Sequence, residues 1–218
     1  MALTLGYWNI RGLAEQIRLV LEYLEIPYEQ KIYTREEYQE WFAKDKLELG
    51  IDFPNLPYLI DGDFKTSQSC AILKYLGRKH GLFGGGSNEL ITKQEAMLDT
   101  VHDMRNRFSK LCYGDDFEAK TPEYSEYCVK MLKQFEMWFA SKKYLLGDKL
   151  YVGDFYMYEV LDINEVFDSK VLEPFSNVRR FKKDIASLPQ IEKYLKSDKF
   201  KKFPINGPSA KWGGGKEQ

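Results

Sequence analysis

The sequence contains little cysteine, little histidine and no excess of either charge. Of its 218 residues, three are cysteines (Cys70, Cys112 and Cys128), two are histidines, and the formal net charge is -1. The cysteines form no CxxC pair, two histidines are too few for a histidine-based metal site, and no acidic cluster has metal-ligand spacing. We therefore expect no bound metal. A sparse, odd number of thiols is typical of a reducing compartment, so we predict a cytoplasmic protein.

The sequence also lacks long apolar runs. No window approaches the roughly 20 apolar residues that span a membrane, and the start "MALTLGYWNIRG" lacks the basic and apolar regions of a secretory signal. A nucleic-acid binder normally has a basic excess, which the balanced charge does not provide. We therefore expect neither a membrane nor a nucleic acid as a partner.

Apolar residues make up 44% of the chain, enough for a sizeable core in one large domain or two small ones. The first part alternates short strand patterns with helical ones. Asp61-Gly62 is a strong hairpin signal, and Gly81 is a helix stop. The order is a strand (3–8), a helix (13–24), a strand (28–34), a short irregular helix (35–47), a hairpin (57–66) and a helix (68–80). This order predicts a small α/β domain with a mixed sheet of four strands.

The second part shows no strand pattern. The motif "GLFGGGSNE" breaks any regular element and reads as a linker over 83–88. Helices are predicted over 89–113, 121–141, 153–168, 178–188 and 189–197. Thr121 is expected to cap the second of these, with Pro122 at its first position. We therefore predict an α/β domain over 1–82 and an all-α domain over 89–218.

A ligand site is expected at the end of the first strand, where the residues run from Tyr7 to Gly12. A phenol with a reference pKa of about 10 is no strong base at neutral pH, but it can donate a hydrogen bond to an anion. A thiolate that accepts this bond has a lowered pKa. The alternative is that Tyr7 simply fills the core.

The stretch "DFPNLPYLIDGDFKTSQS" carries a second signal. A cis proline at Pro57 would turn the N–H and C=O groups of Leu56 outward, unpaired, where an extended peptide can bind them. Gln68 and Ser69 open the next helix, whose free N–H groups favour a carboxylate. We predict a ligand with amide groups in its middle and a carboxylate at its end. The alternative is a hairpin turn followed by a routine helix cap.

Four segments, "LGYWNIRGLAEQIRLVLEYL", "LGIDFPNLPYLIDGDFKTSQS", "AILKYLGRKHGL" and "GDFYMYEVLD", closely resemble the glutathione S-transferase family, specifically its mu class. The style of "PQIEKYLKS…GGGK" is similar to mu-type enzymes of parasitic worms. The resemblance covers essentially the whole chain. It implies a thioredoxin-like N-terminal domain, a helical C-terminal domain and a homodimer. The implied reaction is attack by the thiolate of glutathione, a co-substrate, on small hydrophobic electrophiles.

The resemblance also implies roles for individual residues. It makes Tyr7 the group that stabilises the thiolate. It implies glutathione contacts by Trp8, Trp41, Lys46, Asn55, Leu56, Pro57, Gln68 and Ser69, and by Asp103 reaching into the partner's site. It implies an apolar electrophile pocket formed by Ile10, Leu13, Met104, Arg107, Tyr113, Asn206 and Gly207. In the dimer, Phe53 would insert into the partner subunit, and Lys74 would lie at the interface.

The sequence departs from the family pattern at three places. Trp41 stands one residue too far from Gly50, so either Trp41 or Phe42 takes the glutathione-contacting position. Tyr151 stands where a capping Ser or Thr is usual, although Asp154 three residues later is kept. Lys74 replaces a frequent arginine, which keeps the charge and loses the fork geometry.

Two other functions share features with this pattern. A non-catalytic carrier of apolar ligands, or a structural protein on the same fold, would lose its thiol site, whereas Tyr7 and the "NLP" and "QS" motifs are intact. A redox enzyme with a catalytic cysteine would need that cysteine at the end of the first strand. None is there, and Cys70 lies within a predicted helix.

Overall fold

The computed structural model describes residues 3–215, so the outermost parts of the two predicted domains, 1–2 and 216–218, lie outside the described residues. The first part of the chain folds in the predicted order. Its elements are β1 (Leu3–Trp8), α1 (Glu15–Tyr23), β2 (Tyr28–Tyr33), α2 (Tyr38–Glu40), a π-helix (Trp41–Asp45), α3 (Lys46–Glu48), β3 (Tyr58–Asp61), β4 (Phe64–Ser67) and α4 (Ser69–His80).

The four strands form one mixed sheet in the order β2-β1-β3-β4. β1 runs parallel to β2 over its whole length and antiparallel to β3, which pairs antiparallel with β4. The parallel pair needs a crossover, which α1 supplies, whereas the hairpin needs only the tight turn at Gly62, where φ is +63°. β1 is therefore a central strand, with β2 on one side and β3 on the other.

The second part is helical, with α5 (Asn88–Tyr113), α6 (Phe117–Phe139), α7 (Val152–Phe167), α8 (Ser176–Ala186) and α9 (Pro189–Leu195). Between residues 68 and 215, the chain forms no further strand beyond an isolated bridge. The predicted two-part fold is confirmed. Within residues 3–215, no helix is both long enough and apolar enough to cross a membrane.

The predicted start of α6 at Thr121 and Pro122 is wrong, because the helix begins four residues earlier, at Phe117. The hydroxyl of Thr121 donates to the carbonyl oxygen of Phe117 at 2.8 Å, which is an interaction inside a helix and not a cap. The ring of Phe117 packs edge-on against Phe167 of α7. This tertiary contact extends the helix past the local stop that the Thr-Pro pair would favour.

The start of α7 shows how the chain manages without a capping hydroxyl at Tyr151. The carboxylate of Asp154 accepts hydrogen bonds from the N–H groups of Tyr151 and Leu145, both at 2.8 Å. Asp154 and Leu145 are buried, so the bond between them is shielded from water, whereas Tyr151 is partly buried. The acidic half of the capping box is kept, and it also ties the loop before α7 to the helix.

A buried seam of charges joins α1 and the loop before it to the helical part. In that loop, Arg11 lies 2.6 Å from both Glu159 and Asp162 of α7. On α1, Arg18 pairs with Glu15 at 2.9 Å, and Glu15 accepts a hydrogen bond from Tyr194 of α9. Because buried charges are tolerated only when they are paired, this seam fixes how the sheet domain sits on the helices.

We predict that Asp154→Ala lowers the free energy of unfolding more than Asp154→Asn does. The alanine leaves the buried N–H group of Leu145 unpaired, at a cost of about 1–3 kcal/mol, and also frees the partly buried N–H group of Tyr151, whereas asparagine keeps one acceptor oxygen. Urea titration at one fixed protein concentration measures both losses. Asp148→Ala, which removes an exposed carboxylate from the preceding loop, is the control. Equal losses for Asp148→Ala and Asp154→Ala would contradict the role of these two bonds.

Candidate functional site

Tyr7 lies buried at the carboxyl end of β1. Its hydroxyl oxygen accepts a hydrogen bond from the N–H of Leu13 at 2.9 Å. Burial raises the pKa of Tyr7, while the bond from Leu13 and the charge of Arg105 act in the opposite direction. The phenol therefore stays protonated at neutral pH. Since its oxygen already accepts one bond, its own O–H is available to donate to a ligand.

Gly12 makes this hydrogen bond possible. Its φ is +49°, in the left-handed region that favours glycine. A Cβ atom added there would lie 2.5 Å from the Tyr7 hydroxyl oxygen. The absent side chain therefore lets the loop turn back over the tyrosine and aim the Leu13 amide at it.

The segment after α9 closes the site from the other side. The N–H groups of Arg11 and Gly12 donate to the carbonyl oxygens of Pro204 and Ile205, at 2.8 and 3.0 Å. Asn206 and Gly207 follow directly, and the Gly207 N–H donates to the hydroxyl of Tyr113 at 2.5 Å. Three of the predicted electrophile-site residues, Tyr113, Asn206 and Gly207, are thus brought together at the end of α5. Ile10 and Leu13 lie in the loop between β1, which carries Tyr7, and α1.

Trp8 lies at the rim, in a group of aromatic rings. Its ring stacks on Tyr38 at 5.6 Å and on Phe42 at 6.2 Å, and the ammonium group of Lys46 lies 5.6 Å from the Phe42 ring. Phe42 is 44% exposed, whereas Trp41 is 2% exposed and stacks against Tyr58. The two alternatives therefore face opposite ways, with Phe42 beside Trp8 and Trp41 inside the fold.

A π-helix lies over Trp41–Asp45, in the segment where Trp41 stands one residue too far from Gly50. A π-turn takes one residue more than an α-turn, so it can accommodate a single extra residue. Trp41 opens this turn, and Lys46 follows it.

The peptide bond between Leu56 and Pro57 is cis, as predicted. The prediction that the Leu56 N–H is unpaired is wrong, because it donates to the side-chain oxygen of Asn55 at 2.9 Å. Asn55 is exposed and Leu56 is buried. In this structure the amide of Asn55 occupies the place that a peptide ligand would take, so it has to rotate away before Leu56 can bind one.

Gln68 has an unusual backbone at the start of α4. Its φ and ψ are 73° and 112°, a strained conformation for a residue with a side chain. Its side chain is exposed, next to the buried Ser69, and makes no capping hydrogen bond. Strain of this kind persists where the surrounding structure imposes it, and it is concentrated at ligand sites. The side chain of Gln68 therefore does not cap the first N–H groups of α4.

Arg105 is a site residue that the sequence reasoning missed. It is 2% exposed, and its Nε and one terminal nitrogen have no hydrogen-bond partner among the described residues. Its charge acts on Tyr7 and lowers the pKa of that phenol. A signal was present, because Arg105 interrupts the apolar stripe Val101, Met104, Phe108 and Cys112 on α5. A guanidinium inside such a stripe needs an anion or a polar group to face.

The remaining predicted residues lie on α4, on α5 and in the segment before β3. Met104 is buried on α5, whereas Arg107 stacks over Tyr127 of α6, 4.2 Å from the ring centre. Asp103 and Phe53 are exposed, the latter to 81%. Lys74 lies 3.7 Å from Glu95 of α5 in its own chain. No set of three or more His, Cys, Asp or Glu residues within 3–215 is placed to hold a metal ion.

Two family models match the chain. One describes the N-terminal domain of glutathione S-transferase and matches residues 3–78, and the other describes its C-terminal domain and matches residues 102–198. Human glutathione S-transferase Mu 2 is 42% identical over 217 residues, 98% of this chain and 99% of the relative. The class-mu 26 kDa isozyme of Schistosoma japonicum is 44% identical over 216 residues, 99% of this chain and 98% of the relative.

Solved structures agree with these relatives. The crystal structure of the glutathione S-transferase Blo t 8 superposes with a TM-score of 0.88 at 35% identity, covering 96% of this chain and 99% of that one. A pi-class glutathione S-transferase of Onchocerca volvulus gives a TM-score of 0.85 at 29% identity, covering 96% of this chain and 100% of that one.

We predict that Gly12→Ala displaces the Tyr7 hydroxyl and destabilises the fold. The left-handed backbone costs an alanine about 1–2 kcal/mol, and the contact with Tyr7 adds about 1–3 kcal/mol of overpacking. Gly62→Ala is the matched control, since φ is +63° there and nothing lies within 4 Å of the added carbon. Urea titration of both variants isolates the cost of the contact. Equal losses in the two variants would show that Gly12 is needed only for its left-handed backbone and not for the space beside Tyr7.

Proposed function

The chain belongs to the glutathione S-transferase family, in its mu class, and we propose that it uses the hydroxyl group of Tyr7 to stabilise the thiolate of glutathione. The predicted family, the two-part fold and the transferase class are confirmed. The enzyme conjugates glutathione to electrophiles. Glutathione is a co-substrate in this reaction and leaves as part of the product.

The observation that carries the proposal is the hydrogen bond from Leu13 to Tyr7. It holds the phenol oxygen as an acceptor and leaves the O–H to be donated. A thiolate that accepts this O–H is favoured over the neutral thiol, so its pKa falls. The thiol proton leaves to solvent, the sulfur forms a bond to the electrophilic carbon, and the leaving group departs with its electron pair. The positive charge of Arg105 beside Tyr7 favours the same anion.

We assign glutathione to the groove between Trp8 and the start of α4. Its middle amide groups would pair with the backbone of Leu56 beside Pro57 once Asn55 has moved. Its charged end would meet the free N–H groups of α4 together with Gln68 and Ser69. At the other rim, glutathione would meet Trp8, Lys46 and the exposed ring of Phe42, with Trp41 behind them.

We assign hydrophobic electrophiles to the space between Tyr7 and Tyr113. It would be bounded by Ile10, Leu13, Met104, Asn206 and Gly207. The hydroxyl oxygen of Tyr113 accepts a bond from Gly207, so its proton too can be donated, here to a developing negative charge on the electrophile. A pocket of this composition selects by shape and apolar area, so we expect it to accept a range of electrophiles.

We propose a homodimer. Phe53 is 81% exposed, which is unusual for a phenylalanine, and its carbonyl oxygen is fixed by a hydrogen bond from the Ser67 hydroxyl at 2.6 Å. An exposed aromatic side chain on a backbone that is held in place suits insertion into a partner subunit. Asp103, exposed on α5, would reach the partner's glutathione, and Lys74 would lie beside the interface. The three free cysteines support a cytoplasmic location.

We predict that Tyr7→Phe lowers the rate of conjugation to a chloronitrobenzene about 100-fold at neutral pH, if the lost hydrogen bond raises the pKa of the bound thiol by about 2 units. The rate should recover as the pH rises through the new pKa. Tyr28→Phe, which removes a hydroxyl bonded to Glu22 away from this site, should leave the profile unchanged. A Tyr7→Phe profile of reduced height but unshifted midpoint would contradict thiolate stabilisation. A wild type that binds glutathione without turnover would favour a carrier.

We predict that Gln68→Gly stabilises the protein and weakens glutathione binding. Glycine relieves backbone strain that costs about 1–3 kcal/mol, while loss of the side-chain hydrogen bond weakens binding about 2- to 10-fold. Gln68→Ala loses the same side chain and keeps the strain. Calorimetric titration with glutathione and urea titration should therefore show equal affinities but a higher stability for Gln68→Gly. Unchanged affinity in both variants would remove Gln68 from the site.

A further inference from the structure

A pocket of about 450 Å³ lies between the end of α1, the turn that leads into β2, and α9. Its volume is within the range of sites for small organic ligands. Ile26, Pro27 and Tyr28 line it from the turn and from the start of β2, whereas Lys193 and Tyr194 line it from α9. The pocket therefore has apolar and aromatic surface on both sides, together with charged groups.

This pocket is separate from the thiolate site. In the parallel register of β1 and β2, Tyr28 lies opposite Leu3, whereas Tyr7 lies opposite Ile32. The pocket and Tyr7 are therefore at opposite ends of the paired strands. β2 is also an edge strand, and β4, whose Ser67 holds the backbone of the exposed Phe53, forms the other edge of the sheet. The residues of the pocket are thus free of the roles assigned above.

Most polar groups around the pocket are already paired within the chain. The hydroxyl of Tyr28 donates to Glu22 at 3.1 Å, and the hydroxyl of Tyr194 donates to Glu15 at 2.7 Å. The ammonium group of Lys199 lies 3.6 Å from Glu22. These contacts hold the two tyrosine rings in place, so the walls are formed before any ligand binds.

Two charged side chains of the lining, Glu25 and Lys193, are not paired. Both are exposed. Among the described residues, no cation lies within 4 Å of the Glu25 carboxylate, and no carboxylate lies within 4 Å of the Lys193 ammonium group. They therefore do not pair with each other either. The pocket presents one free negative charge on the turn after α1 and one free positive charge on α9.

The backbone fixes the position of Glu25. The N–H of Glu25 donates to the carbonyl oxygen of Glu22 at 3.1 Å, and the N–H of Ile26 donates to that of Leu21 at 3.0 Å, which together form a Schellman motif at the end of α1. The φ of Glu25 is 53°, in the left-handed region where glycine or asparagine is usual. The helix end by itself would favour one of those residues, so the carboxylate is placed there against the local backbone preference.

We propose that this pocket binds an apolar dipeptide in its zwitterionic form. The ammonium group of the dipeptide would face Glu25, its carboxylate would face Lys193, and its side chains would pack against Ile26, Pro27 and the ring of Tyr194. The two protein charges lie on different elements and more than 4 Å apart, so a ligand that is charged at its two ends matches them. The proposal does not depend on the transferase reaction.

The test uses leucyl-leucine as the probe, in a ligand-observed NMR titration of the full chain. We expect saturable binding that persists with saturating S-hexylglutathione, which would fill the Tyr7 site. N-acetyl-leucyl-leucine lacks the ammonium group, and leucyl-leucine amide lacks the carboxylate. Each should bind about fivefold more weakly, because one exposed ion pair is lost.

Two single variants assign each end of the dipeptide to its partner. In Glu25→Gln, acetylation of the probe should cost no further affinity, because the carboxylate that recognises the ammonium group is already absent. In Lys193→Gln, amidation of the probe should cost none, for the corresponding reason. Both side chains are exposed and unpaired, so we expect both variants to fold.

The matched control is Glu29→Gln, Lys196→Gln, which removes exposed charges from β2 and from the end of α9 outside the pocket. It should leave the affinities for all three peptides unchanged. The proposal is wrong if this control weakens binding as much as Glu25→Gln, Lys193→Gln does, or if acetylation weakens binding equally in the wild type and in Glu25→Gln.

Loss of leucyl-leucine binding in the presence of S-hexylglutathione would assign the dipeptide to the Tyr7 site and would also overturn the proposal. If S-hexylglutathione itself fails to bind, the proposed function is wrong. The comparison of the three peptides on the wild type and the single variants then still decides whether the pocket binds the dipeptide.

Discussion

The hydrogen bond from the Leu13 amide to the Tyr7 hydroxyl is the interaction on which the site depends. It requires a loop that turns back immediately after β1, which in turn requires a residue without a side chain at Gly12. It also requires that the loop be held from outside, by the carbonyl groups of Pro204 and Ile205. The Tyr7 hydroxyl, a weak donor at the end of a strand, is thus held in a fixed direction. In catalysis by electrostatic stabilisation, fixed donors act because they need not reorient as charge develops.

The buried ion pairs between Arg11 and α7 hold this loop in place. Arg11 follows Tyr7 by four residues and is held by two carboxylates of α7. Burial raises the pKa of Glu159, while the charge of Arg11 and its hydrogen bond act in the opposite direction. Removing either partner would leave a buried charge uncompensated, at a cost of about 3–5 kcal/mol. The geometry at Tyr7 is therefore tied to the packing between the two parts of the molecule.

Elements set by local chemistry could be predicted from the sequence, because the deciding residue lies within the element. Gly81 ends α4 in the left-handed region, and Gly62 forms the hairpin turn. The start of α6 could not be predicted this way, since Phe117 finds its partner Phe167 only in the folded chain.

At the site, Tyr7 was recognisable from its motif, whereas its partners were not. The Leu13 amide has no sequence signature, the role of Arg105 depends on which side of α5 faces the sheet, and the occupant of the Leu56 amide depends on a side-chain rotation of Asn55. Trp41 and Phe42 both lie in a π-turn, whose spacing differs from that of an α-helix, so counting along the chain could not decide between them.

The contacts of Arg11 and Gly12 with Pro204 and Ile205 join residues that are far apart in the chain, so they form late during translation. The strand that carries Tyr7 is synthesised long before the carbonyl groups that hold its loop. A nascent chain that has already folded its sheet still lacks these two partners. The site is therefore completed only after Pro204 and Ile205 have been synthesised, so a partly translated chain has no finished thiolate site.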